Sequence, residues 1–260
     1  MRKGTPKIES LDRALRVLGA VVGDRGERNL TALAAELGAP VASLHRIVAS
    51  LARGGYLSAV GRGRYGVGPA LRALAEEALS APALAALVRP ELEALARRTR
   101  RIAHFGIFEN DMVTYLVKAG RGGERLFTRE GMQLEAYCSG IGKVLLAHLD
   151  EPERERYLAA GPFIALTPDT RTDPADLRLE LERVRVQRFA IDAREVAPDL
   201  TCIAVPVASP DGRARAAVSL STFGLHDASA EDALVAALHQ TATAIERRMF
   251  GWPLETSVGD

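Results

Sequence analysis

The residues of this chain best suited to chemistry fall in four short stretches. Gly61-Arg62-Gly63-Arg64-Tyr65-Gly66 has the spacing of a dinucleotide loop, in which glycines let the backbone approach a pyrophosphate where a helix begins. Ser139-Gly140-Ile141-Gly142-Lys143 joins a capping serine to two glycines and a lysine, a pattern that leaves the Gly140 and Ile141 amides open to a carboxylate, with Lys143 reinforcing the field. Cys202, Ser219 and Ser221 stand in two extended runs. Period two puts Cys202, Ala204 and Pro206 on one face of the first run, and Ala217, Ser219 and Ser221 on one face of the second. A few thiol and hydroxyl groups on an apolar face make the usual wall of a small-ligand pocket.

Context removes two readings. A dinucleotide loop needs a buried strand before its glycines and a helix opening on them, whereas helical patterns precede Gly61, and the extended runs Tyr56–Val60 and Tyr65–Val67 flank the loop. The six residues therefore read as a hairpin tip. A nucleotide-phosphate loop needs four residues between its first glycine and the Gly-Lys pair, then Ser or Thr, but Val144 follows Lys143. For nucleophilic catalysis Cys202 would need a histidine, and His45, His104, His148, His226 and His239 are scattered, with no acid-base dyad and no metal-ligand spacing. No catalytic residue, metal or cofactor is expected. Asp192 reads as a turn or helix cap; beside a bound carboxylate it would have to be protonated or hold a hydroxyl, because two bare like charges repel.

The elements that position these residues begin with a basic quarter. Residues 1 to 75 hold 12 Lys/Arg against 5 Asp/Glu, a balance of +7, while the remainder stands at −6. That asymmetry suggests phosphate contact at one end. Leu11, Leu15, Leu18 and Val22 have the spacing of one helical face, with Ser10 placed to cap it. A very short helix follows, capped by Thr31, carrying Leu33 and Leu37 and ended at Gly38. After the Ala39-Pro40 corner, Leu44, Ile47, Val48 and Leu51 face inward on a third helix that stops at Gly54-Gly55. Short helix, glycine-containing turn and second helix outline a helix-turn-helix. Val41, Ala42, Ser43, His45, Arg46 and Ala49 then face outward, and those nearest the helix start are the ones that meet base edges. Arg62 and Arg64, on the hairpin after that helix, are placed for phosphates or the minor groove, as in a wing.

Hydrophobic content of 47% with 26% charged residues and a net charge of +1 is that of a soluble globular protein. No apolar run approaches the roughly 18 residues of a membrane span, and no signal-peptide core follows the N-terminus, so a cytoplasmic protein without membrane contact is expected. Two cysteines make neither a disulfide framework nor a zinc cluster.

Residues 69–82 read as a linker helix with Leu71, Leu74, Ala78 and Leu79 on one stripe, a seam either for a second copy or for packing within the chain. Beyond it, extended segments at 102–108, 112–117, 202–208 and 214–221 alternate with helices at 140–148, 152–159, 174–187 and 230–248. Antiparallel strand pairs around an inserted helical region predict a sheet covered by helices.

The run from Leu30 to Ala75, with its Gly-x-Pro turn, the Ser43-x-His45-Arg46 core and the Tyr65-x-Val67-Gly68 exit, resembles the DNA-binding domain of IclR-type transcriptional regulators. The Gly140-x-Gly142-Lys143 stretch, Asp192, Glu195, Cys202-Ile203-Ala204-x-Pro206-Val207 and Ser219-x-Ser221 resemble the GAF-like sensing domain of the same regulators. The resemblance spans about residues 10 to 250. It implies an α+β chain: a winged helix-turn-helix at 1–68, the linker helix at 69–82, a GAF-like antiparallel sheet with helices at 83–250, and a tail at 251–260. It further implies that Leu126, Leu134, Gly140, Ile141, Asp192, Leu200, Cys202, Ser219 and Ser221 line an effector pocket. The expected partners are double-stranded operator DNA, a small organic acid, and further copies of the chain in a dimer or tetramer. The alternatives are an enzyme fused to a DNA-binding domain and an effector-independent DNA-binding scaffold.

Overall fold

A computed structural model describes residues 8–121, 126–224 and 228–251, the side chains of 228–230 excepted; His226 and residues 252–260 of the expected tail lie outside this set. The chain divides into two units, residues 1–80 and 81–260. No helix among the described residues is long and apolar enough to cross a membrane.

The first unit runs α1 (Glu9–Asp24), α2 (Leu30–Glu36), α3 (Val41–Arg53), β1 (Leu57–Gly61), β2 (Arg64–Val67) and α4 (Pro69–Ala78). Its core is Val17, Val21, Leu30, Leu33, Ala34, Leu44, Val48 and Leu57. α1 meets this core with Val17 and Val21, while Leu11 and Leu15, expected inside, are 51% and 42% exposed. The apolar stripe of α1 is wider than its contact, and the helix extends past the small core at its N-terminal end. Two expected caps also differ. α1 starts at Glu9 after Ile8 with no side-chain cap, and α2 is capped by Asn29, whose side chain accepts from the Ala32 amide at 3.0 Å. Thr31 already lies inside that helix. Gly38 takes the left-handed conformation (φ 59°) that ends α2. β1 and β2 form an antiparallel hairpin, and the Leu30 amide donates to the Gly63 carbonyl at 3.0 Å, fixing the hairpin tip to the start of α2.

The second unit contains α5 (Ala81–Thr99), β3 (Ile102–Glu109), β4 (Met112–Ala119), β5 (Gln133–Glu135), α6 (Gly140–Ala147), α7 (Glu151–Ala159), α8 (Pro174–Gln187), β6 (Ala190–Ala193), β7 (Leu200–Ala208), β8 (Ala214–Phe223) and α9 (Ala228–Phe250). The six strands form one antiparallel sheet in the order β5-β4-β3-β8-β7-β6. β5 and β6, three and four residues long, are too short for periodicity to reveal. α5 and α9 cover one face of the sheet through Val88, Leu92, Leu95, Leu238 and Ile245. α6, α7 and α8 cover the other through Ile141, Val144, Leu145, Leu158, Leu177 and Leu181. Both faces of the central strands are buried, which is why they read as nearly continuous apolar runs.

Candidate functional site

The first unit presents a basic face. α3 buries Leu44 and Val48 and half-buries Ile47 and Leu51; Val41, Ala42, His45 and Arg46 are exposed and Ser43 is half-buried. Arg62, at the hairpin tip, and Arg64, the first residue of β2, are exposed as well. A groove beside α3 is lined by Ser43, Arg46 and Ser50 together with Ser10 and Arg13 of α1 and Tyr56. Neither Arg13 nor Arg46 makes an ion pair among the described residues, whereas Arg28 is held by Asp24 and Glu36. Two guanidiniums without an ion pair among the described residues, beside three serine hydroxyls and that of Tyr56 on one groove, form a surface suited to phosphate oxygens. Arg13 and Ser10 escape a reading of the sequence because α1 reads as a core helix, and only its overhang past the core turns them to this groove.

In the second unit all nine residues expected at the pocket line one interior cavity: Leu126, Leu134, Gly140, Ile141, Asp192, Leu200, Cys202, Ser219 and Ser221. Strand register explains the convergence. Asp192 pairs with Cys202, Cys202 with Ser221, and Ser219 with His104, so four adjacent strands send these side chains to the same face, beneath the start of α6. His104 and Tyr115 join this wall, their rings 5.0 Å apart between centroids. Both were missed in the sequence, since β3 and β4 carry no alternation that marks one face as polar. The free volume at the centre is about 10 Å³, roughly the room for one water.

The polar inventory of the cavity divides into satisfied and open groups. Ser139 caps α6 by accepting from the Gly142 amide at 3.2 Å, as expected. Asp192 Oδ1 accepts from the Glu195 and Val196 amides at 2.7 and 3.3 Å, so the residue caps a turn and also lines the cavity. The Cys202 thiol and Ser221 hydroxyl lie 3.2 Å apart, and His104 Nε2 lies 2.9 Å from Thr128 Oγ1. The Gly140 and Ile141 amides and the Ser219 and Tyr115 hydroxyls meet no protein hydrogen-bond partner among the described residues. Ser219 and Tyr115 are buried, yet among the described residues Arg154 Nε is the one fully buried side-chain polar atom without a partner, so the two hydroxyls open onto the cavity. Open donors and hydroxyls on an otherwise apolar wall are the groups a small ligand or a water can engage.

Two expectations about the glycine-lysine stretch are corrected. Lys143 does not face the cavity. Fully buried on the far side of α6, it binds Glu195, donates to the Ile191 carbonyl at 3.1 Å and sits 3.8 Å from Glu180. A charge placed between two carboxylates is spent on them and lends little field to a ligand. Gly142 is required by packing, because a Cβ there would fall 2.1 Å from the Ala136 carbonyl oxygen.

Burial sets the protonation of the wall. Desolvation pushes the Asp192 carboxyl up to about 7, against the lowering effect of the Glu195 amide and of Lys143. Desolvation, with Lys118 nearby, drives the His104 imidazole down to about 3, so it is neutral at pH 7. The Cys202 thiol is pushed well up by burial and by Asp192.

The family model for the IclR helix-turn-helix domain matches residues 10–61, and that for the bacterial transcriptional regulator IclR C-terminal domain matches residues 76–247. The chain belongs to the IclR family of transcriptional regulators. It is similar to the HTH-type transcriptional regulator XynR of Escherichia coli (29% identity, 95% of this chain and 99% of the relative). It is also similar to the HTH-type transcriptional regulator BhcR of Paracoccus denitrificans (31% identity, 93% and 88%). Among solved structures, an IclR homolog from Microbacterium hydrocarbonoxydans complexed with 4-hydroxybenzoate matches with a TM-score of 0.61 at 26% identity, over 92% of this chain and 98% of the other.

An IclR-family regulator thus carries Cys202 and His104 in one cavity, and the chemistry there runs against catalysis. A nucleophilic cysteine needs a lowered pKa and a free base. Here the thiol is shifted up, and His104 Nε2 is engaged with Thr128. No group of three or more metal-binding side chains occurs among the described residues.

Proposed function

We propose that the protein is a sequence-specific DNA-binding regulator whose operator affinity is set by a small carboxylate in the cavity of the second unit. The observation that carries this reading is the pair of bare amides at Gly140 and Ile141, facing a buried wall that also holds the unmatched Ser219 and Tyr115 hydroxyls. The helix start accepts the carboxylate. Ser219, Ser221, Cys202 and a protonated Asp192 accommodate the remainder, while Leu126, Leu134 and Leu200 exclude water. The 4-hydroxybenzoate held by the Microbacterium homolog supports an organic acid as the class.

On the DNA side, Val41, Ala42, Ser43, His45 and Arg46 enter the major groove, and Arg62 and Arg64 grip the flanking backbone. Arg13 adds a phosphate contact beside Arg46. One short recognition helix reads few base pairs, so two copies on a two-fold axis read a pseudo-palindrome. The exposed stripe of Leu74, Ala78 and Leu79 on and just after α4, a helix with no buried residue, supports a seam between copies.

The test joins two measurements on the full chain. A thermal-shift screen of metabolic carboxylates should find one that raises the melting temperature. Its addition should alter the affinity for a duplex selected by the protein from its own genome. Turnover of the acid would point to an enzyme instead, and DNA affinity unaffected by every acid would point to a scaffold.

A further inference from the structure

A cavity with room for one water cannot take an organic acid unless a wall gives way. Three of its walls are locked. The sheet wall is continuous strand. The start of α6 is wedged on Ala136 through Gly142. The turn at Asp192–Val196 is tied by Lys143 to Glu195, and by Thr167 and Thr170 to the Arg194 and Glu195 carbonyls. The fourth wall is the segment Leu126-Phe127-Thr128, whose first and last side chains are buried in the cavity wall while Phe127 is 45% exposed. Behind this segment lies an open groove lined by Lys118, Gly120, Leu126, Phe127, Thr128, Arg129 and Glu130.

Leu126 packs with Ile102 and Leu200, and the backbone of the segment is held by polar contacts. Lys118 Nζ, on β4, donates to the Leu126 carbonyl at 2.9 Å and to the Thr128 carbonyl. Two residues on, Glu130 accepts from the Lys118 amide at 2.9 Å. It also takes both guanidinium nitrogens of Arg89 in a two-pronged pair at 2.9 and 3.0 Å. Arg89 belongs to α5, which begins at Ala81, the first residue after the DNA-binding unit. A continuous set of contacts therefore runs from the cavity wall to the helix that the linker enters.

We propose that Leu126–Thr128 is the wall that yields to the effector, and that the Arg89–Glu130 pair transmits its displacement to α5. Glu130 and Arg89 are thus positioning residues for regulation, outside the set that touches the ligand. The inference rests on the regulator reading and adds to it the route by which the two units are coupled.

The test needs no knowledge of the acid. Ser221→Leu fills the cavity from the sheet side, and Lys118→Met releases the segment from the groove side without overfilling anything. Amide hydrogen exchange on the full chain should be faster, by about threefold or more, at 126–130 in both variants and also at 86–92 of α5. Adding Arg89→Met should keep the first change and abolish the second, whereas Arg156→Met, which breaks a comparable surface pair with Asp111, should abolish neither. On the selected duplex, the affinity change caused by Ser221→Leu should return to within about twofold of wild type with Arg89→Met. Unchanged exchange at 126–130 in both single variants would overturn the inference, as would an α5 response that survives Arg89→Met. If the wild-type chain selects no duplex, the regulator reading fails on its own, and the exchange pattern still decides whether wall and helix are coupled.

Discussion

At the scale of single residues the cavity is defined by Asp192 as much as by the helix start. Its folded-state pKa, raised from 3.8 to about 7, means that the native state holds this proton more tightly than the unfolded chain. The sign follows: Asp192 contributes stability that is fully present below pH 3.8 and is lost as pH rises through about 7. The groups facing it shape the same titration, with Lys143 favouring the charged form and Glu195 opposing it. A carboxylate ligand adds a negative charge, so its affinity should fall as pH rises through that value. Calorimetric titrations at pH 6 and 8 should show tighter binding at the lower pH, and Asp192→Asn should flatten the difference; equal affinities would remove Asp192 from the site.

Lys143 makes a second prediction at this scale. Lys143→Met leaves Glu195 buried without its cation, while Glu180 keeps Arg183 at 3.1 Å, and should cost about 3 to 5 kcal/mol in the denaturant-unfolding equilibrium of the second unit, with part recovered in Lys143→Met/Glu195→Gln. Full stability in the single variant would contradict the burial described. That role was illegible in the sequence. The lysine sits in a ligand-like motif, and the partner that claims it is 52 positions away. Ser139 and the serines of β8, by contrast, were legible because their roles follow from local spacing.

At the scale of elements, the long helices and strands could be read from pattern and the short ones could not. α8 runs from Pro174 to Gln187, as its Asp-Pro start and apolar spacing predict. β5 and β6 escaped because they are sheet edges whose pairing, rather than composition, makes them strands. α1 was placed correctly but rotated, with Val17 and Val21 inward, because an apolar stripe wider than its contact does not say which part is covered. The α6 contact offers a test. Gly142→Ala forces a methyl against the Ala136 backbone, and should destabilise the second unit by about 1 to 3 kcal/mol in the denaturant-unfolding equilibrium of the full chain. An unaltered midpoint would show that α6 can shift away.

At the scale of the whole molecule, a basic unit with unpaired arginines and a sensing unit with unmatched cavity groups divide the charge asymmetry visible along the chain. Arg13→Ala and Arg46→Ala should each lower DNA affinity and reduce the salt slope by about one phosphate contact, with Arg46→Ala also relaxing sequence preference. Neither should move the affinity for an acid in the cavity. Loss of acid binding in either variant would mean that the variants disturb more than a DNA face.

The most direct measurement is operator affinity by fluorescence anisotropy across a salt series, with and without the carboxylate that stabilises the chain. Affinity should fall linearly on a log-log plot with a slope of several phosphates, displaced by about 5- to 150-fold when the acid is present. A chain that shows no preference for any duplex at low salt, or whose curve is the same with every acid, would contradict it.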